Sequence, residues 1–357
     1  MTATYLAPRR QPLSTRRTFA WYQPAGKLAT EYEDLTCGQQ SDPAHHAFQG
    51  WPIRFDDGRN PVTAESTRLR SSDWFAFRDP ARTMNRTYVS ATNEAERSLA
   101  RSVAGAARAG HFAFAHPGWV RTGLAEHFMT YPFVNYGLFL AFCYAEREAL
   151  SDTVTFAIVF TAADKLRHMQ DAVHYSFELA EAFPDASDAD ALAWWKTRPI
   201  WQGARSAVEH LIALDDWMEV VIAANLCFDR IFGELVKVEY FGRFAAANGD
   251  GITPLLVASA QVDDNRTVAW TQALVEHLLA DPVHGAGNRA QINAWIETWD
   301  ARSHEAIEAF APCFSAAPTN PVRFADAAAE VWRRRNRVLA ELGLAPSATS
   351  RKGGGHV

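Results

Sequence analysis

Apolar residues recur at helical spacing along most of the chain between residues 72 and 342. Because one face of a helix repeats every three or four residues, this pattern predicts long helices. The predicted helices span residues 85–109, 118–146, 150–182, 205–245, 252–280, 285–311 and 322–342. Strand signals are almost absent, so the pattern predicts an all-α protein.

Helix-breaking residues separate the predicted helices. Pro and Gly clusters mark turns because Pro lacks a backbone donor and Gly adopts turn conformations readily. They occur at Phe183-Pro184-Asp185, Arg198-Pro199, Asn248-Gly249-Asp250-Gly251 and Asp281-Pro282. Ser72-Asp73 is a candidate cap for a segment that begins at Trp74. The helix at 85–109 is rich in Ala, Glu and Arg, which predicts a solvent-facing helix.

The longest uncharged run, from Phe128 to Ala145, has eighteen residues and approaches the length of a membrane span. It contains Pro132, Asn135 and three tyrosines. We therefore interpret it as a helix buried inside a large bundle.

The two ends of the chain differ from the middle. Residues 1–70 hold six of the seventeen prolines but keep several aromatic side chains, which a disordered tail usually lacks. They predict an extended N-terminal arm that lies on its own domain or on a partner; the alternative is a loosely packed extension. The candidate partner contacts are Phe19, Trp21, Tyr22 and Trp74. Residues 71–342 form the predicted helical domain, and the Gly-rich residues 343–357 a flexible tail.

Composition narrows the function classes. The chain is 48% hydrophobic with twelve Trp and twenty-two Phe, which indicates a sizeable core or a large partner interface. A net charge of −6 argues against nucleic acid as a main partner. Four scattered cysteines without a Cys-x-x-Cys pair are typical of reduced thiols, and no signal peptide is visible, so we expect a cytoplasmic protein.

The candidate chemistry lies in two short segments that share one frame. The first is Lys165-Leu166-Arg167-His168 and the second is Asp264-Asn265-Arg266-Thr267. Di-iron sites in helical bundles use Glu-x-x-His, whose spacing puts a carboxylate and an imidazole on one helical face. Here Lys165 replaces a Glu, and a protonated lysine has no lone pair for a metal. Thr267 replaces a His, so each copy lacks a ligand.

These segments resemble the hydroxylase subunits of bacterial soluble multicomponent di-iron monooxygenases, which oxidise methane, propane, alkenes, toluene or phenol. The segment Ala245 to Pro254 resembles one in the large subunits, whereas the broken ligands resemble the small, or beta, subunit. Further matching segments are Asp73 to Pro80, Trp201-Gln202, Asp216-Trp217, Asn225-Leu226 and His284 to Trp295. The resemblance covers most of residues 15–345.

The resemblance implies a ferritin-like, ribonucleotide-reductase-like helical bundle. It also implies six vestigial ligand positions, at Asn135, Lys165, His168, Arg230, Asp264 and Thr267, with Asp229 or Ile231 as alternatives to Arg230. Two good ligands beside two cations cannot hold two ferrous ions, so we predict no metal, no cofactor and no catalytic residue on this chain.

Two Asp/Arg pairs, Asp164 with Arg167 and Asp263 with Arg266, occupy the positions that support the ligands in such relatives. The alternative is an ordinary ion pair on the surface of each helix. Buried cations need partners, so our hypothesis is that Lys165 or Arg230 pairs with Asp264 across the bundle.

By resemblance, the chain is a non-catalytic structural beta subunit in an (αβ)2 hydroxylase, with or without a gamma subunit. The large, alpha, subunit carries the di-iron centre, and a coupling protein, a ferredoxin and an NADH reductase complete the system. Two alternatives stay open: an iron-dependent oxidase or oxygenase with ligands such as Glu146, Asp171 or Glu234, or a free-standing helical interaction protein. His168 could also serve as a base or as a mononuclear metal ligand with Asp164.

Overall fold

The computed structural model describes residues 24–37, 54–183 and 189–353, and these contain helices and turns but no strand. The all-α prediction is confirmed for this part of the chain. Three of the proposed partner contacts, Phe19, Trp21 and Tyr22, lie outside the described residues.

Fourteen helices are described. They are α1 (Glu31–Thr36), α2 (Asn85–Arg108), α3 (Pro117–Trp119), α4 (Pro132–Glu148), α5 (Asp152–Ala182), α6 (Ala191–Thr197), α7 (Pro199–Ile212), α8 (Trp217–Ile222), α9 (Arg243–Ala247), α10 (Thr253–Leu279), α11 (Gly285–Phe310), α12 (Pro312–Ala316), α13 (Phe324–Glu341) and α14 (Ala348–Gly353). π-Helical segments follow α3 (Val120–Phe128) and join α8 to α9 (Ala223–Gly233 and Leu235–Gly242). Short 3₁₀ turns lie at Ala64–Ser66, Trp74–Ala76 and His111–Phe114.

The central bundle consists of four long helical elements. Helix α4 packs along α5, and α10 packs against α5 and against the continuous helix at residues 217–247. This last helix, which we call the central helix, is almost completely buried. Helices α7 and α11 pack against each other and against the bundle, while α2 crosses its outside with only Val103 buried. A helix that is apolar on all sides belongs inside a bundle, as expected for the central helix.

Most predicted helix positions are confirmed, but two predicted helices are interrupted in the structure. The predicted helix 118–146 is interrupted by a turn at 129–131, ahead of Pro132 at the start of α4. The predicted helix 205–245 is two helices, because α7 ends at Ile212 and a new helix begins at Trp217. The Asp216 side chain accepts from the backbone N–H groups of Met218 and Glu219, so it caps the new helix.

The segment before α2 is packed into the core. Asp73 caps the 3₁₀ turn Trp74–Ala76, as the sequence predicted. The Trp74 ring lies 5.4 Å from the Trp217 ring, and Trp74 is 8% exposed. Most of the Trp74 surface is therefore used inside this chain, which leaves little of it for a partner.

Both predicted irregular ends contain a helix. Helix α1 lies within the predicted extended arm, and Thr30 and Glu33 form a capping box at its start. Helix α14 lies within the predicted flexible tail, where Ser350 is buried and its hydroxyl donates to Asn336 Oδ1 at 2.7 Å. The boundaries at residues 70 and 343 stay predictions.

No helix in the described ranges is both long and apolar enough to cross a membrane. The uncharged run at 128–145 is instead divided between the end of a π-helical segment, a turn and α4, whose Val134, Leu138 and Phe142 are buried in the core.

Gly203 provides a test of the packing between α7 and α11. A Cβ at Gly203 would lie 2.7 Å from Ala306 Cα and 2.8 Å from the Glu305 carbonyl oxygen, so the two backbones would have to separate. We expect Gly203→Ala to lower the free energy of unfolding by about 1–3 kcal/mol in urea denaturation.

The matched control is Gly105→Ala in α2, where an added Cβ meets nothing within 4 Å. Its better helix propensity should raise stability by about 0.5–1 kcal/mol. Equal effects of the two substitutions would contradict close contact between α7 and α11.

Candidate functional site

Two lysines and two aspartates form an ion cluster at the centre of the bundle. Lys165 Nζ on α5 donates to Asp229 Oδ2 at 2.6 Å and to Asp264 Oδ1 at 2.7 Å. Lys237 Nζ donates to Asp264 Oδ2 and lies 3.2 Å from Asp229 Oδ1. Asp229 and Lys237 come from the central helix, and Asp264 comes from α10. Each charge therefore meets two opposite charges.

Local backbone structure positions these side chains. Gly233 follows Asp229 by one turn, and the Asp229 carboxylate occupies the space that a Cβ at Gly233 would need. Lys165 and Lys237 are 1% and 5% exposed, so their ammonium groups stay inside the bundle. The glycine thus allows the Asp229 carboxylate to lie close to its own helix.

The cluster is electrically balanced. Burial alone would raise the pKa of Asp264, but the Lys165 and Lys237 ammonium groups outweigh it and hold that pKa well below its usual range. The same balance lowers the pKa of Asp229. Burial would lower the pKa of Lys165 and Lys237, yet Asp229 and Asp264 raise both. All four groups are therefore charged at neutral pH, and their formal charges sum to zero.

A second layer of ion pairs surrounds the cluster. Arg266 on α10 donates to Asp164 on α5, and Arg167 on α5 donates to Asp263 on α10. His168 Nε2 lies 3.1 Å from Asp263 Oδ2. These contacts cross between two helices, whereas the pair within α10, Arg266 with Asp263 at 3.3 Å, is the longer one. The Asp and Arg residues of the two sequence pairs thus connect α5 with α10 rather than forming ion pairs on the surface of each helix.

Tyr88 extends this layer to α2. Its hydroxyl donates to Asp164 Oδ1 at 2.8 Å, and the Arg266 guanidinium lies 5.3 Å from the centre of its ring. Burial, followed by the Asp164 charge, raises the pKa of Tyr88, so the hydroxyl remains a donor. An otherwise exposed helix is held to the bundle at this point.

The structure brings some of the predicted ligand positions together. Lys165 and Asp264 pair as the hypothesis stated, which confirms that part of it. His168 faces Asp263. Thr267 Oγ1 lies 3.3 Å from Thr161 Oγ1. Asn135 is buried on α4.

The position assigned to Arg230 needs a correction of one residue. Arg230 pairs with Glu234 one turn along its own helix, and Asp229 is the residue that meets Lys165. The part of the hypothesis that paired Arg230 with Asp264 is therefore not what the structure shows. The count from the second motif allowed a slip of this size but could not decide it.

Sequence reasoning missed Lys237. It stands alone among apolar residues, in Leu235-Val236-Lys237-Val238, which was the available signal. A lysine on a buried helix needs a buried partner, because an isolated buried charge is very costly. Lys237 lies outside both sequence motifs, so the motifs do not indicate it.

The cluster does not fit a di-iron centre. The carboxylate oxygens of Asp229 and Asp264 already contact the two ammonium groups, so a metal ion would have to displace both cations. Within residues 24–37, 54–183 and 189–353, no three His, Cys, Asp or Glu side chains are grouped as metal ligands. The arrangement can cross-link helices through charge.

Comparison with known proteins gives consistent results. Residues 51–282 match the family model described as methane/phenol/alkene hydroxylase. The propane 2-monooxygenase hydroxylase small subunit of Rhodococcus jostii is 32% identical over 337 residues, covering 93% of this chain and 90% of that protein. The methane monooxygenase component A beta chain of Methylosinus trichosporium is 34% identical, covering 84% and 78%.

A solved structure supports the fold. A chain in the crystal structure of phenol hydroxylase from Pseudomonas sp. OX1 under xenon pressure superposes with a TM-score of 0.78 at 19% identity. The match covers 96% of the present chain and 98% of the other. At this identity it is the helical architecture that is shared.

Asp264→Asn tests the charge balance of the cluster. The substitution leaves two buried ammonium groups with one carboxylate, and removing one member of a buried ion group costs about 3–5 kcal/mol. We expect the variant to unfold at a markedly lower urea concentration than the unsubstituted chain. Tryptophan fluorescence measures this unfolding.

Asp326→Asn is the control, because Asp326 pairs with Arg323 at an exposed position of α13 and should change stability little. If both variants unfold at the same urea concentration, the cluster does not hold the bundle together.

Proposed function

The chain belongs to the methane/phenol/alkene hydroxylase family as a hydroxylase small, or beta, subunit, and we propose that within its enzyme it is structural rather than catalytic. The predicted resemblance is thereby confirmed. The complete enzyme is a multi-subunit monooxygenase, an oxidoreductase that acts on a hydrocarbon. Fold alone does not determine which chain of such an enzyme carries the chemistry.

One observation supports the structural role above the others. Lys165, which the family resemblance puts at a ligand position, and Lys237 both lie between α5, the central helix and α10. Paired with Asp229 and Asp264, they join three helices through charge. A bundle joined by these ion pairs would contribute a rigid surface against the catalytic chain.

Rigidity of this kind matters because catalytic ligands must be held within a fraction of an ångström. We propose that the large, or alpha, subunit carries the di-iron centre and that this chain holds the iron-bearing helices in place. The assembly would be (αβ)2, with or without a gamma subunit. The long buried helices and the charge-paired interior described above give the stiffness that this role requires.

The remaining components follow from the same proposal. Electrons would come from NADH through a reductase and a ferredoxin, and a coupling protein would regulate turnover, all in the cytoplasm. The substrate would be a small alkane, alkene or aromatic hydrocarbon, selected in a pocket of the large subunit. The names of the relatives, which include propane, methane and toluene monooxygenases, support a hydrocarbon.

Iron content tests the proposal directly. The full-length chain is produced alone and together with its large subunit in iron-rich medium, and iron is counted per polypeptide. We expect no bound iron in the chain alone and iron in proportion to the large subunit in the complex. The complex also serves as the control for iron loading during growth.

About two iron ions per molecule of the isolated chain would overturn the proposal, since that is the content of a complete di-iron site. Ligands from outside the ion cluster would then have to be sought, and the chain would be an iron-dependent oxidase or oxygenase in its own right.

His168→Ala tests whether the one histidine in the two motifs has a catalytic role. The imidazole contacts Asp263 rather than an open active site, so turnover of the assembled enzyme should stay within about tenfold of the unsubstituted enzyme. His304→Ala is the matched control, because His304 is partly exposed and lies 4.0 Å from Glu308.

Assembly is checked by size-exclusion chromatography for both histidine variants. A loss of about a thousandfold or more in His168→Ala alone, with assembly intact, would indicate direct participation in catalysis and contradict a structural role.

A further inference from the structure

A small cavity lies beside the ion cluster. Its volume is about 40 Å³. Its polar lining is formed by Tyr131, Asn135, His168, Asp171 and Lys237, and its apolar lining includes Phe128, Phe241 and residues of α10. The cavity is therefore amphipathic and touches all four elements of the central bundle.

Three buried polar atoms in the polar lining have no protein partner among the described residues. They are Tyr131 Oη, Asn135 Oδ1 and His168 Nδ1. Their residues are 5%, 3% and 7% exposed. Buried polar groups in native proteins are nearly always hydrogen-bonded, so three such atoms around one cavity point to a ligand within it.

The chemistry of the three atoms defines that ligand. His168 Nε2 donates its hydrogen to the Asp263 carboxylate, so only the Nδ1 atom of this ring is left for the ligand. Asn135 Oδ1 is an acceptor, whereas the Tyr131 hydroxyl can donate. The ligand must therefore both donate and accept hydrogen bonds.

The charges around the cavity and its volume restrict the ligand further. Lys237 is already balanced by Asp229 and Asp264, so an added anion or cation would leave an uncompensated buried charge. The ligand is thus neutral. A buried water needs about 10–15 Å³ of such space, so a cavity of this volume holds about three.

We propose that the cavity is a built hydration site, occupied by a cluster of two or three waters that bond Tyr131, Asn135 and His168. The waters complete the polar lining of the cavity between the ion cluster and α4. They also offer an acceptor to the remaining N–H of Lys237.

A second cavity lies next to this one. It has a volume of about 100 Å³, lies under α2 and is lined by Glu96, His174 and Glu178. Asp171 and Leu256 line both cavities, so the two spaces are neighbours.

Tyr131→Phe tests the proposal, because it removes one hydroxyl and adds no atom. With waters in place, the variant loses a hydrogen bond, and the melting temperature of the full-length chain in its purified assembly should fall by about 2–4 °C. In a dry cavity the same change removes an unpaired polar atom, so the melting temperature would stay the same or rise, which would overturn the proposal.

Tyr240→Phe is the matched control. The Tyr240 hydroxyl lies 2.8 Å from His127 Nδ1, which is a direct protein hydrogen bond. Its removal calibrates the loss expected for a buried tyrosine hydroxyl that has a partner. A fall in Tyr131→Phe similar to that in Tyr240→Phe supports the hydration site.

A crystal structure of the assembly, with and without xenon pressure, gives a readout independent of stability. We expect ordered waters within hydrogen-bond distance of the three polar atoms and no xenon in the cavity. Xenon enters apolar, dry cavities, so a xenon atom in this one and no water beside Tyr131 would contradict the proposal.

Discussion

The structure depends on the electrostatic balance of Lys165 and Lys237 against Asp229 and Asp264. Each ammonium contacts both carboxylates, and the four groups join α5, the central helix and α10. Removing such charges from water costs several kcal/mol per ion, which only mutual pairing offsets. All four charges can be paired only at one relative position of the three helices. The cluster thus selects that packing over others that would bury the same apolar surface.

The charged residues around the cluster are also paired with opposite charges on other helices. Arg167 and Arg266 cross between α5 and α10 to reach aspartates on the opposite helix, and Tyr88 brings α2 to Asp164. Deep on the other side of the central helix, Arg335 donates to Asp300 and to the Leu226 carbonyl, with both charged side chains almost completely buried. Charges in this interior therefore occur in paired, hydrogen-bonded groups, and they connect helices that are distant in sequence.

A bundle of this kind can serve an enzyme without carrying out its chemistry. An oxygen-activating site needs open coordination positions, whereas here ammonium groups saturate the carboxylates. In this helical frame two lysines and two aspartates form an ionic core whose formal charges sum to zero. The cations belong to the chain itself, so the charge balance of this core needs no added ion.

The sequence by itself determined the helical class, most helix positions, the family resemblance and Lys165 as one of two candidate partners of Asp264. These depend on local period, on residue type and on the single frame shared by two motifs. The tertiary structure decided that Asp229 rather than Arg230 faces Lys165, because neighbouring residues of a helix point in different directions. It also brought in Lys237, and it directed each Arg to the Asp on the opposite helix rather than on its own. Such contacts depend on how helices are rotated and spaced, which sequence spacing within one helix cannot specify.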